Sequence, residues 1–324
     1  MLTTSIALAT YNGSQFIEEQ LCSVLSQSQF PNQLLISDDS SDDDTCTKVQ
    51  TIIQNSSCNY KILTSTQNIG YSKNFERVLK HCTKDIIFFC DQDDVWFDNK
   101  IAVVTAFFQQ NSKFMLLIHN IEFCNQYLKP TGKSKLDEIK KLYNVERSYV
   151  TGMATSIRRE FLEFCLPIPM NVSYDLWIHS CAYYLDTKFI LSQSLAYYRR
   201  HHKNATHLDH LNYSYRSKLI YFLKIIVTEF FRTEISSALN LPQLVLERVL
   251  SKEDFLQNNL NYSEIDIRNL VEKLSYESLI VSDRSKLKKL SFSKRLYKVP
   301  YFYFKGYYSY FSGFSSFLKD LIAP

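Results

Sequence analysis

Glycine is scarce in this chain, with 6 in 324 residues. Only Gly13 lies near the first apolar run, so a Gly-rich basic phosphate loop of the kind nucleotidyltransferases use is excluded. Long apolar runs are missing as well. No stretch reaches the roughly 18 apolar residues that a membrane span requires. The eight cysteines all fall between Cys22 and Cys181 and form no C-x-x-C pair. That excludes a zinc or disulfide framework and predicts reduced, buried thiols in a cytoplasmic protein. Met1 to Thr10 lacks a basic leader region, so no signal peptide is expected. No internal repeat is visible.

What is present is ordinary for a folded protein, with 45% hydrophobic and 22% charged residues, apart from a high 15% of aromatics. The length suits one large domain or two smaller ones. Charge is unevenly spread. Residues 1–210 carry 20 Lys/Arg against 22 Asp/Glu, whereas residues 211–324 carry 17 against 11. A basic C-terminal surface follows from that asymmetry.

Short apolar runs alternate with helical patterns through the first 120 residues. Ser5 to Ala9, Gln33 to Ile36, Lys61 to Leu63, Ile86 to Cys90 and Phe114 to His119 read as strands. Helices are predicted from Ser14, as N-cap, to about Gln27, from Lys73 to His81, and from Asn99 to Gln110. Alternation of this kind predicts an α/β fold with a mostly parallel sheet covered by helices on both faces. Ligands of such sheets bind at the carboxyl ends of the strands. The polar clusters Thr10 to Gly13, Ser37 to Asp42 and Asp91 to Asp94 all fall at those ends. Further on, Lys129 to Lys141 reads as a mobile loop and Tyr149 to Ile157 as a strand. Tyr174 to Asp186 reads as a helix, and Phe189 to Leu191 and Leu195 to Tyr198 as short strands. Beyond about residue 208 the pattern is helical, and a domain boundary is expected there.

Asp91, Asp93 and Asp94 leave a buried strand, where unpaired charge is costly. Hard cations take carboxylate oxygens and keep water and phosphate as their other ligands. A metal-diphosphate site is therefore the favoured reading, with a solvated acidic turn as the plain one. Asp38 and Asp39 can accept a nucleobase N–H or make an Asx-turn. Tyr11 can stack on a base or pack at the core's edge. Asp175 can be a general base or an ordinary helix cap. Tyr198 to Asn204 gathers cations and imidazoles that suit a diphosphate or a metal, or simply a basic turn.

Taken in order, Ala9-Thr10-Tyr11-Asn12-Gly13, Ser37-Asp38-Asp39-Ser40-Ser41-Asp42, Asn68-Ile69-Gly70 with Asn74, Asp91-Gln92-Asp93-Asp94-Val95-Trp96, Gly152, Asp175-Leu176-Trp177 and Tyr198-Arg199-Arg200-His201 resemble glycosyltransferase family 2. The likeness covers roughly residues 4–206 and is greatest to its bacterial rhamnosyltransferase-like branch. The resemblance implies a GT-A fold and inverting transfer of a sugar from a nucleotide-diphospho-sugar, UDP- or dTDP-linked, to a glycan or lipid-linked acceptor of a surface polysaccharide. It implies Mn²⁺ or Mg²⁺ held by Asp93, Asp91 and His201, and Asp175 as catalytic base. Thr10, Tyr11, Asn12, Asp39, Asn68, Lys73, Asp91 and Gln92 would hold the nucleotide. Arg199, Arg200, Trp177 and Gly152 would serve the diphosphate and acceptor. Tyr174 departs from the family, which often has His, Glu or Asp before the base. Arg200 also departs, standing where many members have Gln, and the usual Gly after Asn204 is missing. A non-catalytic nucleotide-sugar or glycan-binding subunit of the same fold is the alternative.

Residues 284–305 hold eight Lys/Arg and no acid, and twelve Phe/Tyr fall between Phe292 and Phe317. That mixture suits an anionic membrane surface, which would place the protein peripherally at the inner face of the cell membrane. Packing on the catalytic domain or in a homo-oligomer comes next. No nucleic-acid partner is expected.

Overall fold

The computed structural model describes residues 2–140, 144–201, 240–287, 289–311 and 313–322. The described residues form two compact units, one of residues 2–140 and 145–201, the other of Asn144 and the described residues from Asn240 on. The expected boundary at residue 208 and the end of the basic loop, residues 202–204, lie outside the described residues.

In the first unit the elements run β1 (Thr4–Thr10), α1 (Ile17–Leu25), β2 (Gln33–Asp38), α2 (Thr45–Ile53), β3 (Tyr60–Thr64), α3 (Tyr71–Leu79), β4 (Ile86–Cys90), β5 (Val95–Trp96) and α4 (Lys100–Gln110). There follow β6 (Leu116–Asn125), β7 (Pro130–Ser134), α5 (Lys135–Lys140), α6 (Val145–Ser148), a 3-10 turn at Gly152–Ala154, β8 (Thr155–Arg158), α7 (Arg159–Cys165), α8 (Tyr174–Tyr184) and β9 (Lys188–Arg200). One sheet has the order β3-β2-β1-β4-β8-β6-β9-β5, with β7 paired to β6.

The β3-β2-β1-β4 half is parallel throughout. Every residue of β1 and β4 is buried, which explains why these strands read as unbroken apolar runs and not as alternation. The other half is mixed. β8 runs antiparallel to β4 and β6, while β9 runs parallel to β6.

Four local expectations are corrected. Ser14 does not cap α1: the helix begins at Ile17, and the Ser14 N–H donates to Asp43 at 3.1 Å. The expected loop 129–141 is instead the edge strand β7 and then α5. β7 is polar and exposed except at Ser134, so it carries no alternation to read, and Leu136 anchors the helix behind it. The strand expected from Tyr149 starts only at Thr155. The two short strands at 189–191 and 195–198 are one strand. The interruption between them is a bulge, where Leu191 pairs with His119 but Ser194 already pairs with Asn120.

The described part of the second unit is helical: α9 (Leu241–Ser251), α10 (Glu253–Leu260), α11 (Glu264–Leu287), α12 (Phe292–Phe304), a 3-10 turn at Tyr307–Tyr310 and α13 (Phe314–Ile322). Asn240 caps α9, accepting the Gln243 N–H, with Pro242 in the first turn. Ser263 and Asp266 exchange hydrogen bonds as a capping box for α11. Arg284 grips both carboxylate oxygens of Asp320, which also accepts the Tyr308 hydroxyl. None of the described helices is long and apolar enough to cross a membrane.

Candidate active site

Parallel register brings the ends of β1, β2 and β4 together, with Thr10 beside Asp38 and Leu8 beside Cys90. The three polar clusters that leave these strands therefore meet, and they are bonded to one another. The Gln92 side-chain amide clamps the Tyr11 backbone, accepting its N–H at 2.8 Å and donating to its carbonyl at 2.9 Å. Gly13 is required for this: a Cβ there would lie 2.2 Å from Gln92 Oε1. Asn12, at φ 47°, donates its N–H to Ser41 and accepts the Asp42 N–H. Tyr11 itself is exposed, 46% accessible.

Two of the expected nucleotide residues are bonded within the protein. Thr10 is buried, and its hydroxyl donates to Asp38 at 2.7 Å. It braces the loop. Asp39 is also buried and accepts the N–H groups of Ile69 and Gly70, each at 2.9 Å. Its first task is to shape the Asn68-Ile69-Gly70 turn. Asn68 and Lys73 flank that turn and are exposed. Below it, Arg77 donates to Ser37 Oγ, the Asp38 carbonyl and Asn74 Oδ1.

The acidic turn after β4 is where sequence-distant residues converge. His201 Nε2 lies 2.8 Å from Asp93 Oδ2, although 108 residues separate them. The His201 ring packs on Phe16, with centroids 4.4 Å apart. Asp94 is buried, accepts the Arg199 N–H at 2.9 Å on Oδ1, and has no partner on Oδ2 among the described residues. Burial holds the Asp94 carboxyl well above the usual range, with Asp93 and Asp91 adding to the effect. Asp91 is pushed up to about 7 by burial, then by the charges of Asp93 and Asp175. The acids of the turn and the expected base thus lie within one another's field.

Arg199 and Trp177 are also engaged within the protein. Arg199 is 2% exposed. It donates to the carbonyls of Asp93 (2.9 Å) and Gln126 (3.1 Å), pairs with Glu19, and lies 4.7 Å over the Phe16 ring. It anchors the acidic turn. Arg200 lies over the Phe123 ring at 4.8 Å. Trp177 is fully buried, its indole N–H donating to the Cys165 carbonyl, so it is core and not acceptor surface. Gly152 is buried too, and its role is spatial: a Cβ would lie 1.9 Å from the Tyr174 hydroxyl.

Tyr174 is the residue that sequence reasoning passed over. It is buried, stacks on Phe75 at 3.9 Å, and has its hydroxyl raised by burial and by the field of Asp91. Its departure from the family pattern was the available signal. Next to it, Asp175 opens α8 half-buried, its Oδ1 accepting the Leu176 N–H at 2.8 Å.

Two lysines, one buried and one half-buried, were also missed. Lys100 is fully buried, donates to the Met153 carbonyl at 2.7 Å and stands 3.7 Å over the Trp96 ring. Burial lowers its ammonium to about 7, while Cys90, Asp94 and Asp91 pull the other way. Its spacing with Val104 and Phe108 placed it on the apolar face of α4, which was legible. Lys135 donates to the Val150 carbonyl and Thr151 Oγ1. Burial lowers it to about 8, with Asp175 opposing.

Comparison with known proteins bears on the family and the fold. Residues 5–165 match Glycosyl transferase family 2. The chain is 26% identical over 287 residues to the dTDP-rhamnosyl transferase RfbG of Shigella flexneri, covering 84% of this chain and 93% of that protein. It is 28% identical over 180 residues to the UDP-Glc:alpha-D-GlcNAc-diphosphoundecaprenol beta-1,3-glucosyltransferase WfgD of Escherichia coli, covering 54% of this chain and 68% of that one. Among solved structures, S. aureus TarS 1-349 in complex with UDP-GlcNAc superposes with TM-score 0.54 at 17% identity, covering 86% of this chain and 81% of that chain. The mannosyltransferase PcManGT from Pyrobaculum calidifontis, in complex with GDP-Man and Mn²⁺, gives 0.51 at 15% identity, covering 86% and 81%. The structural likeness establishes the GT-A fold.

Proposed function

From the premise that this chain belongs to glycosyl transferase family 2, we propose that it moves a hexosyl or deoxyhexosyl group from a UDP- or dTDP-sugar to a glycan or lipid-linked acceptor. Anomeric configuration inverts, and the product enters a bacterial surface polysaccharide. The observation that carries this reading is the meeting of Asp93 with His201, beside Asp91 and Asp175.

A divalent cation suits these residues. Among the described residues no group of three or more His, Cys, Asp or Glu forms a complete metal site. A hard cation that takes one or two protein groups and completes its shell with diphosphate needs no more. Asp93 and His201 would hold it, with Asp91 alongside, and the unpartnered Asp94 Oδ2 adds negative field. When bound, Mn²⁺ or Mg²⁺ offsets charge on the leaving diphosphate.

The chain's own residues do the rest. Tyr11 offers its ring to the base, held in place by Gln92. Arg199 keeps Asp93 and Asp94 in register through their backbone and carboxylate. Asp175 accepts the acceptor hydroxyl proton as the oxygen attacks the anomeric carbon and the bond to the diphosphate oxygen breaks. A positioned base of this kind contributes about 10²–10⁴-fold in rate. Purified protein screened against UDP-, dTDP- and GDP-sugars should show Mn²⁺-dependent hydrolysis or thermal stabilisation with one donor class. Silence with all three would favour a non-catalytic binding subunit.

A further inference from the structure

One face of helix α12 is exposed. Arg295, Val299 and Phe302 are buried, and the last two join Leu287 and Tyr308 in an apolar cluster. The opposite side carries Phe292 (57% exposed), Leu296 (50%), Tyr297 (82%), Tyr301 (50%) and Phe304 (87%). At about 100° per residue these five fall within one half of the helix circumference, and Lys294, Lys298 and Lys305 line up along one edge of that half. Folded proteins rarely show water a contiguous aromatic strip of this kind without a use for it.

We propose that this half of α12 is a docking surface for an anionic phospholipid bilayer. The rings lie at headgroup depth and the lysines face headgroup phosphates. The surface deepens the reading given above and rests on its lipid-linked acceptor for its purpose, though not for its chemistry. Charge complementarity selects this occupant. Eight Lys/Arg and no acid lie between residues 284 and 305, so a second copy seated on the same face would meet like charge without a counter-charge in the segment.

The test is sedimentation of the full chain with sucrose-loaded vesicles, without sugar donor. One set is phosphatidylcholine and the other mixes in phosphatidylglycerol. The protein should pellet with the anionic vesicles and stay in solution with the neutral ones. Replacing three exposed rings together (Tyr297→Ser, Tyr301→Ser, Phe304→Ser) should weaken partitioning by at least about tenfold. Replacing the edge (Lys294→Glu, Lys298→Glu, Lys305→Glu) should do the same. All six side chains are exposed, so melting temperature should not change. The proposal is overturned if the wild type pellets with neither vesicle, or if the ring variant pellets as the wild type does. It is also overturned if light scattering shows a dimer that the ring variant dissolves while vesicle binding persists. Vesicle binding without any donor turnover would count against the enzymatic reading and leave this surface standing.

Discussion

Gly152→Ala forces a collision that Tyr174 cannot easily avoid. The added Cβ would sit 1.9 Å from the tyrosine hydroxyl oxygen and 2.9 Å from Cζ. The Tyr174 ring is buried and stacked on Phe75, with Phe89 at 5.7 Å, so it has little room to retreat. Overpacking a filled core costs about 1–3 kcal/mol. That puts Gly152→Ala at about 1–3 kcal/mol. For a unit of roughly 200 residues that is a fall in melting temperature of about 2–12 °C. Tyr174→Phe removes the hydroxyl that the Cβ would strike. In the double variant the 1.9 Å contact no longer exists, while the one to Cζ at 2.9 Å remains. Its cost should fall short of the sum of the single costs by about 1 kcal/mol. Thermal melts of the four proteins form the cycle. Additivity within about 0.5 kcal/mol would show that Gly152 and Tyr174 do not constrain one another.

Asp175→Asn should cut transfer by about 10²–10⁴-fold while leaving nucleotide affinity nearly intact; wild-type turnover in the purified variant would remove Asp175 as base. Asp93→Ala should abolish the Mn²⁺ dependence of nucleotide binding, read by titration calorimetry with and without metal; affinity unchanged in both conditions would remove the metal role. Lys100 is a base whose folded pKa, about 7, lies below its unfolded value. Between pH 7 and 10 the unfolded chain therefore binds the extra proton, and stability rises with pH. Relative to Lys100→Met, the wild type should gain at most about 1.4 kcal/mol per pH unit over that window, and a flat difference between the two denaturation series would show that Lys100 titrates as if exposed.

The meeting of the polar clusters was largely legible because a parallel sheet puts successive strand ends on one edge. Once the strands were read from their apolar runs, Tyr11, Asp39 and Asp91 had to be neighbours. The Asp93–His201 contact was legible only through the ordered motifs, since no local pattern links residues 108 apart. The second half of the sheet was harder to read. β7 is an exposed edge without alternation, and a bulge divides the pattern of β9.

The sequence by itself determined the alternating α/β half, the position of its ligand edge, the acidic turn and the helical, basic character of the C-terminal region. These depend on periodicity and composition, which are local. Only the tertiary structure decided what each polar side chain is bonded to. Thr10 went to Asp38, Asp39 to the 69–70 backbone, Arg199 to the acidic turn and Trp177 to the core. A hydroxyl, carboxylate or guanidinium has the same hydrogen-bonding capacity whether it meets a ligand or a backbone carbonyl. Which of the two it meets is set by residues distant in the chain, and folding alone makes them neighbours.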